Sequence, residues 1–215
     1  MPDHVRFTET MAGWLSPRAD TPHEDAERDG RAAGSSGMFV LTVVTPDVDA
    51  FLADPDHRSP AFGCVFLPAL HARPLAVDRG HLDLFVDTPL GSRVVHMRYG
   101  LWLRDEAGGR WYLRGIKEIV RRAWWPTVTA DTTTLFVDVF PGDAPAGTPA
   151  LRGILRMGVG GVTAQGLSFR GEGGWGGLRG VVRYLTYYVR RVVNVYFGPR
   201  TSPLRPAWAS GEPPG

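Results

Sequence analysis

Nine segments with the composition of β-strands follow one another along this chain of 215 residues, and turn residues separate them. The segments are rich in Val, Leu, Thr, Phe, Tyr and Trp, and Gly, Pro, Asp or Ser bound them. Strands at this regular spacing are typical of antiparallel sandwiches and barrels. The nine predicted strands are Phe7–Leu15, Met38–Thr45, Phe62–Leu70, Gly80–Asp87, Arg93–Arg104, Trp111–Val120, Asp131–Phe140, Leu151–Met157 and Val162–Arg170.

Several of these strands are apolar on both faces, and this favours a barrel over a sandwich. In the segment 94–103, Met97, Tyr99 and Leu101 lie on one face while Trp102 lies on the other. A barrel with a helix packed outside it, or a barrel with an apolar cavity, produces such strands, whereas a sandwich with one solvated face does not. The expected fold is mainly β: an antiparallel, lipocalin-like β-barrel of about nine strands with a C-terminal α-helix.

Three further segments complete the expected organisation. Residues 16–37 are polar and rich in Gly, Ser and acids, which predicts a loop with one short helical turn. Thr45 and Pro46 have the residue types of an N-cap and a first helical position, so a short helix should begin there. Residues 178–197 change to helical spacing, and 1–197 are expected to form one domain followed by a flexible, Pro-rich tail at 198–215.

The predicted C-terminal helix combines an apolar stripe with several arginines. The stripe consists of Val181, Val182, Leu185, Tyr188, Val189, Val192 and Tyr196. A basic amphipathic helix of this kind can lie on an anionic membrane surface. The interpretation we favour from the sequence is that the stripe covers the barrel and the arginines are solvated.

Composition narrows the classes of protein that fit this chain. A net charge of +2 is too small to indicate a nucleic-acid partner. The first residues lack the apolar segment of a secretory leader, and no stretch of about 18 apolar residues occurs. The single cysteine, Cys64, fits a reducing compartment. We therefore expect a cytoplasmic protein without integral membrane association, with a homodimer as a further expectation.

Familiar catalytic and metal-binding motifs are absent from the sequence. The six histidines show no HxxxH or HExxH spacing, and no GxSxG segment occurs. The glycine clusters follow predicted strands without the βαβ context of a dinucleotide site. No cofactor and no metal are expected.

The two long central strands carry the candidate site residues. Alternation places Tyr99 on one face of its strand and Arg98 on the other. Lys117 is the only lysine among the 24 basic residues, so a compact ammonium group at this position is a candidate for a specific role. The predicted catalytic residues are Lys117, Arg98 and Tyr99. The alternative is that such charges decorate the outer wall of the barrel.

A second set of residues is predicted to contact a substrate. Some of them flank the catalytic candidates on the central strands, and others lie in the aromatic loop and the strand start that follow. Each has a structural alternative, such as closing the end of a core or capping a turn. The set consists of His96, Trp102, Glu118, Trp124, Trp125, Asp131 and Thr133.

Eight short segments, taken in order, resemble one known family. They are Phe7–Gly13, Leu41–Val43, Phe51–His57, Pro74–Gly80, Met97–Tyr99, Leu113–Glu118, Asp131–Leu135 and Gly153–Arg156. In this order and spacing they resemble the accessory domain that follows the flavin domain in actinobacterial cholesterol-oxidase-like oxidoreductases of the glucose-methanol-choline type. The resemblance implies an affinity for steroid-like, polycyclic or polyketide-like molecules, and it carries over neither oxidase activity nor catalytic residues.

Two functions follow as hypotheses. One is a cofactor-independent cyclase or isomerase, [4+2] cyclases included, that holds a lipophilic polyketide- or polyene-like substrate inside the barrel in natural-product biosynthesis. Its basis is an analogy with lipocalin-like barrel cyclases, and fold alone does not determine function. The other is a non-catalytic binding or accessory protein for a sterol-like hydrophobic ligand.

Overall fold

The computed structural model describes residues 3–18, 20–87, 94–120, 133–158, 168–172 and 175–197. Nine strands and three helices lie in these ranges. The strands are β1 (His4–Ser16), β2 (Ser36–Thr45), β3 (Arg58–Phe66), β4 (Leu75–Asp87), β5 (Val94–Arg104), β6 (Arg110–Val120), β7 (Thr134–Pro141), β8 (Leu151–Arg156) and β9 (Arg170–Glu172). The helices are α1 (His23–Ala32), α2 (Val48–Ala53) and α3 (Trp175–Phe197).

Eight antiparallel strands close into a barrel, and β9 extends the sheet beyond them. Neighbours in sequence pair from β2 through to β8, and β1 closes the ring by pairing with both β2 and β8. This arrangement confirms the predicted antiparallel barrel with a C-terminal helix. The predicted strand over 162–170 lies largely outside the described residues, and β9 begins at its last residue.

Strand β1 is paired unequally on its two sides, and this positions the candidate site. Along β2 it pairs from Val5 to Trp14. On the other side β8 pairs with 12–16, whereas β9 pairs with 4–6. Between these two stretches the backbone amide of Thr8 donates to the Ser168 hydroxyl, at 2.9 Å. Among the described residues, the middle of β1, which includes Glu9, therefore pairs with β2 and with neither β8 nor β9.

The hairpin between β5 and β6 turns at Asp105-Glu-Ala-Gly-Gly109, whose residue types favour such a turn. Asp105 Oδ1 accepts hydrogen bonds from the backbone amides of Ala107 and Gly109, at 2.9 and 2.7 Å. Gly108 adopts a φ of +90°, which favours glycine. The turn fixes the register of the two strands, so that Leu101 lies opposite Leu113.

The segment 16–37 contains a helix of 10 residues, so the prediction of a loop with one short turn was wrong. Acidic residues in the first turn and Arg31 in the last turn suit the helix dipole. Gly30 lies so close to β1 that a Cβ atom there would be 2.5 Å from the Leu15 carbonyl oxygen. An ion pair between Arg156 and Glu27 fastens the helix to β8. These contacts are tertiary, and the polar composition of the segment gave no sign of them.

Helix α2 begins later than predicted. Asp47, rather than Thr45, is the N-cap, and its Oδ1 accepts from the amides of Asp49 and Ala50 at 2.8 and 3.0 Å. The Thr45 hydroxyl lies in the core instead, 2.8 Å from the Ser59 hydroxyl. The Thr45 hydroxyl is therefore engaged in the core and does not cap the helix, and Thr45 is the last residue of β2.

Helix α3 packs on the barrel through a face that only partly matches the predicted stripe: Val181, Tyr188 and Val192 of the stripe pack on the core. The side chains that pack on the core are Val181, Tyr184, Tyr187, Tyr188 and Val192. Val182, Leu185 and Val189, which were predicted to cover the barrel, are exposed. That part of the prediction was wrong, because a wheel with apolar residues on both sides does not show which side meets the sheet. None of the helices in the described ranges meets the length and hydropathy needed to cross a bilayer.

Candidate ligand site in the barrel interior

A carboxylate occupies an inward position of β1. The strand alternates, and Val5, Phe7 and Met11 point into the barrel on either side of Glu9. Glu9 is only 1% exposed, although carboxylates are rarely found in this environment without a partner. The partners of Glu9 come from strands on the far side of the interior.

Two polar side chains from β5 and β6 reach this carboxylate. Lys117 Nζ donates to Glu9 Oε1 at 2.6 Å, and the Tyr99 hydroxyl donates to Glu9 Oε2 at 2.8 Å. The register pairs Tyr99 with Gly115, so Tyr99 and Lys117 are diagonal neighbours on one face. The ammonium group also lies 5.2 Å from the centre of the Tyr99 ring. We call Glu9, Tyr99 and Lys117 the interior triad.

The interior triad is expensive to bury. Tyr99 and Lys117 are 2% and 3% exposed. Removing an ammonium and a carboxylate from water costs several kcal/mol for each ion, and their attraction often only balances that cost. An apolar set of the same volume would serve a purely structural core at least as well. This energetic comparison makes the triad the strongest candidate for a ligand site.

Two tyrosines of α3, Tyr184 and Tyr188, pack against the barrel core. Burial raises the pKa of the Tyr184 hydroxyl well above its usual value, with neighbouring tyrosines and the Glu9 charge adding to the effect. Burial and the Glu9 charge raise the pKa of Tyr188 in the same way. Burial, followed by the charge and the hydrogen bond of Glu9, also raises the pKa of Tyr99. These phenols therefore remain protonated donors at neutral pH.

One of these phenols has no hydrogen-bond partner in the described part of the chain. The Tyr184 side chain is 1% exposed, and its hydroxyl is an unsatisfied buried group there. Its ring packs between those of Phe7 and Phe51, at centroid distances of 6.1 and 5.2 Å. A buried hydroxyl without a partner is costly, and a ligand oxygen would satisfy it.

The structure brings two of the three predicted catalytic residues together and separates the third. Tyr99 and Lys117 meet in the interior triad. Arg98 projects from the outer wall of β5 and is exposed, as its alternation with Tyr99 requires. Arg98 is therefore remote from the triad, and its predicted catalytic role stays a prediction.

The predicted substrate contacts on β5 and β6 also lie on the outer wall. Trp102 donates its indole N–H to the Asp143 carbonyl at 2.8 Å, and the Arg79 guanidinium lies 4.0 Å from the centre of its ring. His96 Nε2 is 3.9 Å from Glu118 Oε1. Burial lowers the pKa of His96, and Glu118 partly opposes this shift.

The remaining predicted contacts precede β7 in the sequence. Thr133 is half-buried, and its carbonyl accepts from the Met157 amide at 3.0 Å. Trp124, Trp125 and Asp131 lie outside the described residues. The structure thus leaves the roles of these four residues as predictions.

Sequence reasoning missed Glu9 and Tyr184. A signal for Glu9 was present, because alternation from Val5 through Phe7 to Met11 places it on the apolar face of β1. No comparable signal marked Tyr184, which borders the predicted stripe of α3 but was not counted in it. Its importance depends on how the helix packs against the barrel.

A second polar cluster lies outside the barrel, on β6, β7 and β8 beside the first residue of α1. Asp138 accepts from Arg114 and Arg152 at 2.7 Å each and lies 3.3 Å from His23 Nε2. Burial raises the pKa of Asp138, but hydrogen bonds from His23 and the two arginines outweigh it and hold that pKa well below its usual value. A groove of about 350 Å³ opens beside this cluster, and Glu118 is among its lining residues.

The two clusters differ in what they can do. In the outer cluster the charges are committed to one another and fasten α1 to the sheet. In the interior triad, Glu9 is the hydrogen-bond partner of Lys117 among the described residues and takes one of its three ammonium donors, so two can reach another oxygen. The interior triad is the better candidate for binding and chemistry.

Comparison of the chain with family models, with curated proteins and with solved structures finds no match. The resemblance to the accessory domain of cholesterol-oxidase-like enzymes therefore stays a prediction.

Proposed function

We propose that this chain is a cofactor-independent isomerase or cyclase that acts on a lipophilic, carbonyl-bearing substrate of the polyketide or polyene kind inside the barrel. The observation that carries the proposal is the ion pair between Glu9 and Lys117, buried with Tyr99 among apolar side chains. Aliphatic walls suit a lipophilic substrate, and a few convergent polar groups are typical of small-molecule sites.

The chemistry would combine a donor and a base. The free N–H groups of Lys117 would polarise a substrate carbonyl, and in a low-dielectric site such a donor is more effective than in water. The Glu9 carboxylate would take a proton from the carbon next to that carbonyl and return it elsewhere, which leaves the mass unchanged. A cyclisation would need the same polarisation and a folded substrate, with no net proton transfer.

Tyr184 indicates where a substrate would enter the barrel. Its unsatisfied hydroxyl belongs to a ring that packs on Phe7 of β1 and Phe51 of α2. A substrate oxygen that moved the Tyr184 ring aside would accept a hydrogen bond from the Tyr184 hydroxyl. Ligand entry would therefore involve a movement of α3 relative to the barrel.

The experiment uses the purified chain, a lipophilic extract of the source organism and mass spectrometry. The test variant is the apolar triple variant Glu9→Leu/Tyr99→Phe/Lys117→Met, which removes the polar groups without leaving one of them unpaired. The control is Arg104→Gln, which changes an exposed residue at the far end of the strand that carries Tyr99. We expect a product isomeric with a component of the extract from the wild type and the control, and none from the triple variant.

Two other outcomes have clear meanings. Retention of an unchanged lipophile by all three proteins would identify the alternative, a non-catalytic binding or accessory protein for a sterol-like ligand. Equal turnover by the triple variant and the wild type would remove the interior triad from the mechanism. The same assay with Arg98→Gln tests the role predicted for Arg98, and its position on the outer wall leads us to expect unchanged turnover.

A further inference from the structure

The outward face of α3 carries a continuous apolar stripe. Its members follow one another at intervals of three or four residues, and each is between 37% and 56% exposed. They are Leu178, Val182, Leu185, Val189 and Val193. This spacing keeps all five side chains on one side of the helix, over a length of about 22 Å.

This stripe is distinct from the face that packs on the barrel. Tyr184 and Tyr187 anchor the opposite side of α3 against Phe51. Arg183 pairs with Asp3 and Asp49, and Arg191 donates to the Phe85 carbonyl at 3.0 Å. The helix is thus fixed by its inner face and two of its arginines, while the outer stripe contacts solvent.

The charge of the helix indicates what the stripe meets. Helix α3 contains four arginines and no acidic residue, and the sequence from 178 to 211 contains six arginines and no acid. Arg179 and Arg190 are exposed and lie three turns apart on the same flank of the stripe. An apolar stripe with a basic flank complements a surface that offers both hydrocarbon and negative charge.

We propose that α3 docks this chain in the plane of an anionic lipid bilayer, with the stripe in the acyl boundary and Arg179 and Arg190 at the lipid phosphates. Interfacial helices bind through buried apolar area together with attraction to anionic lipids. A second copy of the chain is a poorer fit, because antiparallel pairing of two α3 stripes would bring their arginine flanks together. This inference is independent of the proposed function.

The test is flotation of the full chain with phosphatidylcholine vesicles that contain or lack phosphatidylglycerol. We expect binding to the anionic vesicles that weakens with added salt, and much weaker binding to the neutral ones. In Val182→Gln/Val189→Gln we expect the partition coefficient to fall by at least about tenfold, since binding scales with buried apolar area. In Arg179→Gln/Arg190→Gln we expect a loss of about fivefold for each arginine.

The matched control is Phe62→Gln, which changes a residue of β3 that is 51% exposed and remote from the stripe. It should bind like the wild type. Circular dichroism and thermal unfolding check that each variant folds, as expected for exposed positions. Absence of binding to anionic vesicles, or equal binding by Val182→Gln/Val189→Gln, would overturn the proposal. A dimer in light scattering that this double variant dissociates, without vesicle binding, would assign the stripe to a second copy and overturn it too.

Discussion

Lys117 Nζ lies 2.6 Å from Glu9 Oε1 across the interior of the barrel, although their strands β6 and β1 are not neighbours in the sheet. The pair therefore joins two walls through the core. A buried pair of this kind is sensitive to the loss of either partner, while its complete replacement by apolar groups can be harmless. A variant that replaces the whole triad by apolar groups can therefore test its function without a large loss of stability.

Removing one member of the pair should destabilise the protein strongly. We expect Lys117→Met alone to lower the free energy of unfolding by about 3–5 kcal/mol, because the Glu9 charge stays buried without its partner. The apolar triple variant should lie within about 1 kcal/mol of the wild type or above it. Urea unfolding of both proteins checks this. A triple variant less stable than Lys117→Met would show that the triad is needed for folding.

Tyr184→Phe should separate stability from ligand binding. Because the hydroxyl has no partner in the described structure, its removal should leave the free energy of unfolding unchanged or raise it by up to about 1 kcal/mol. Affinity for the captured lipophile should fall. Tyr99→Phe is the matched control and should lose about 1.5–3 kcal/mol of stability, since it removes a hydrogen bond to a charged carboxylate. A larger loss of stability in Tyr184→Phe than in Tyr99→Phe would contradict the assignment.

The cluster around Asp138 should make the free energy of unfolding depend on pH in the acidic range. The folded state lowers the pKa of this carboxyl, so its contribution is fully present above the unfolded value of 3.8 and is lost as the pH falls towards the folded value. We expect Asp138→Asn to be less stable than the wild type at pH 7, and the difference to shrink below about pH 5. Urea midpoints measured at several pH values check this. A difference that does not change with pH would show that Asp138 contributes by packing rather than by charge.

Closure of the barrel should depend on the absence of a side chain at Gly13. A Cβ atom there would lie 2.0 Å from the Ile154 carbonyl oxygen on β8, which is backbone and has little freedom to move. We expect Gly13→Ala to lower the free energy of unfolding by about 2 kcal/mol or more through overpacking at the β1–β8 pairing. Gly158→Ala, where a Cβ would meet nothing within 4 Å, is the control and should be neutral. Equal stability of the two variants, measured by thermal unfolding, would contradict the observed approach of the strands.

The interior triad was partly predictable because alternation is a local property. The segments around Tyr99 and Lys117 each placed their residue on an apolar face, and the two faces meet once the strands pair. Glu9 could have been placed on an apolar face in the same way. Its contact with Lys117 could not, because the two residues are 108 positions apart and only closure of the sheet brings them together.

The sequence by itself determined the antiparallel barrel, the C-terminal helix and the turn at Asp105–Gly109, because strand alternation, helical spacing and turn chemistry act over a few residues. Only the tertiary structure decided that Arg98 lies outside, that α1 forms on the barrel wall, and which face of α3 packs inward. Each of these depends on contacts between distant segments. A helix with two apolar faces packs against the sheet by the one that fits, and that fit depends on the assembled barrel.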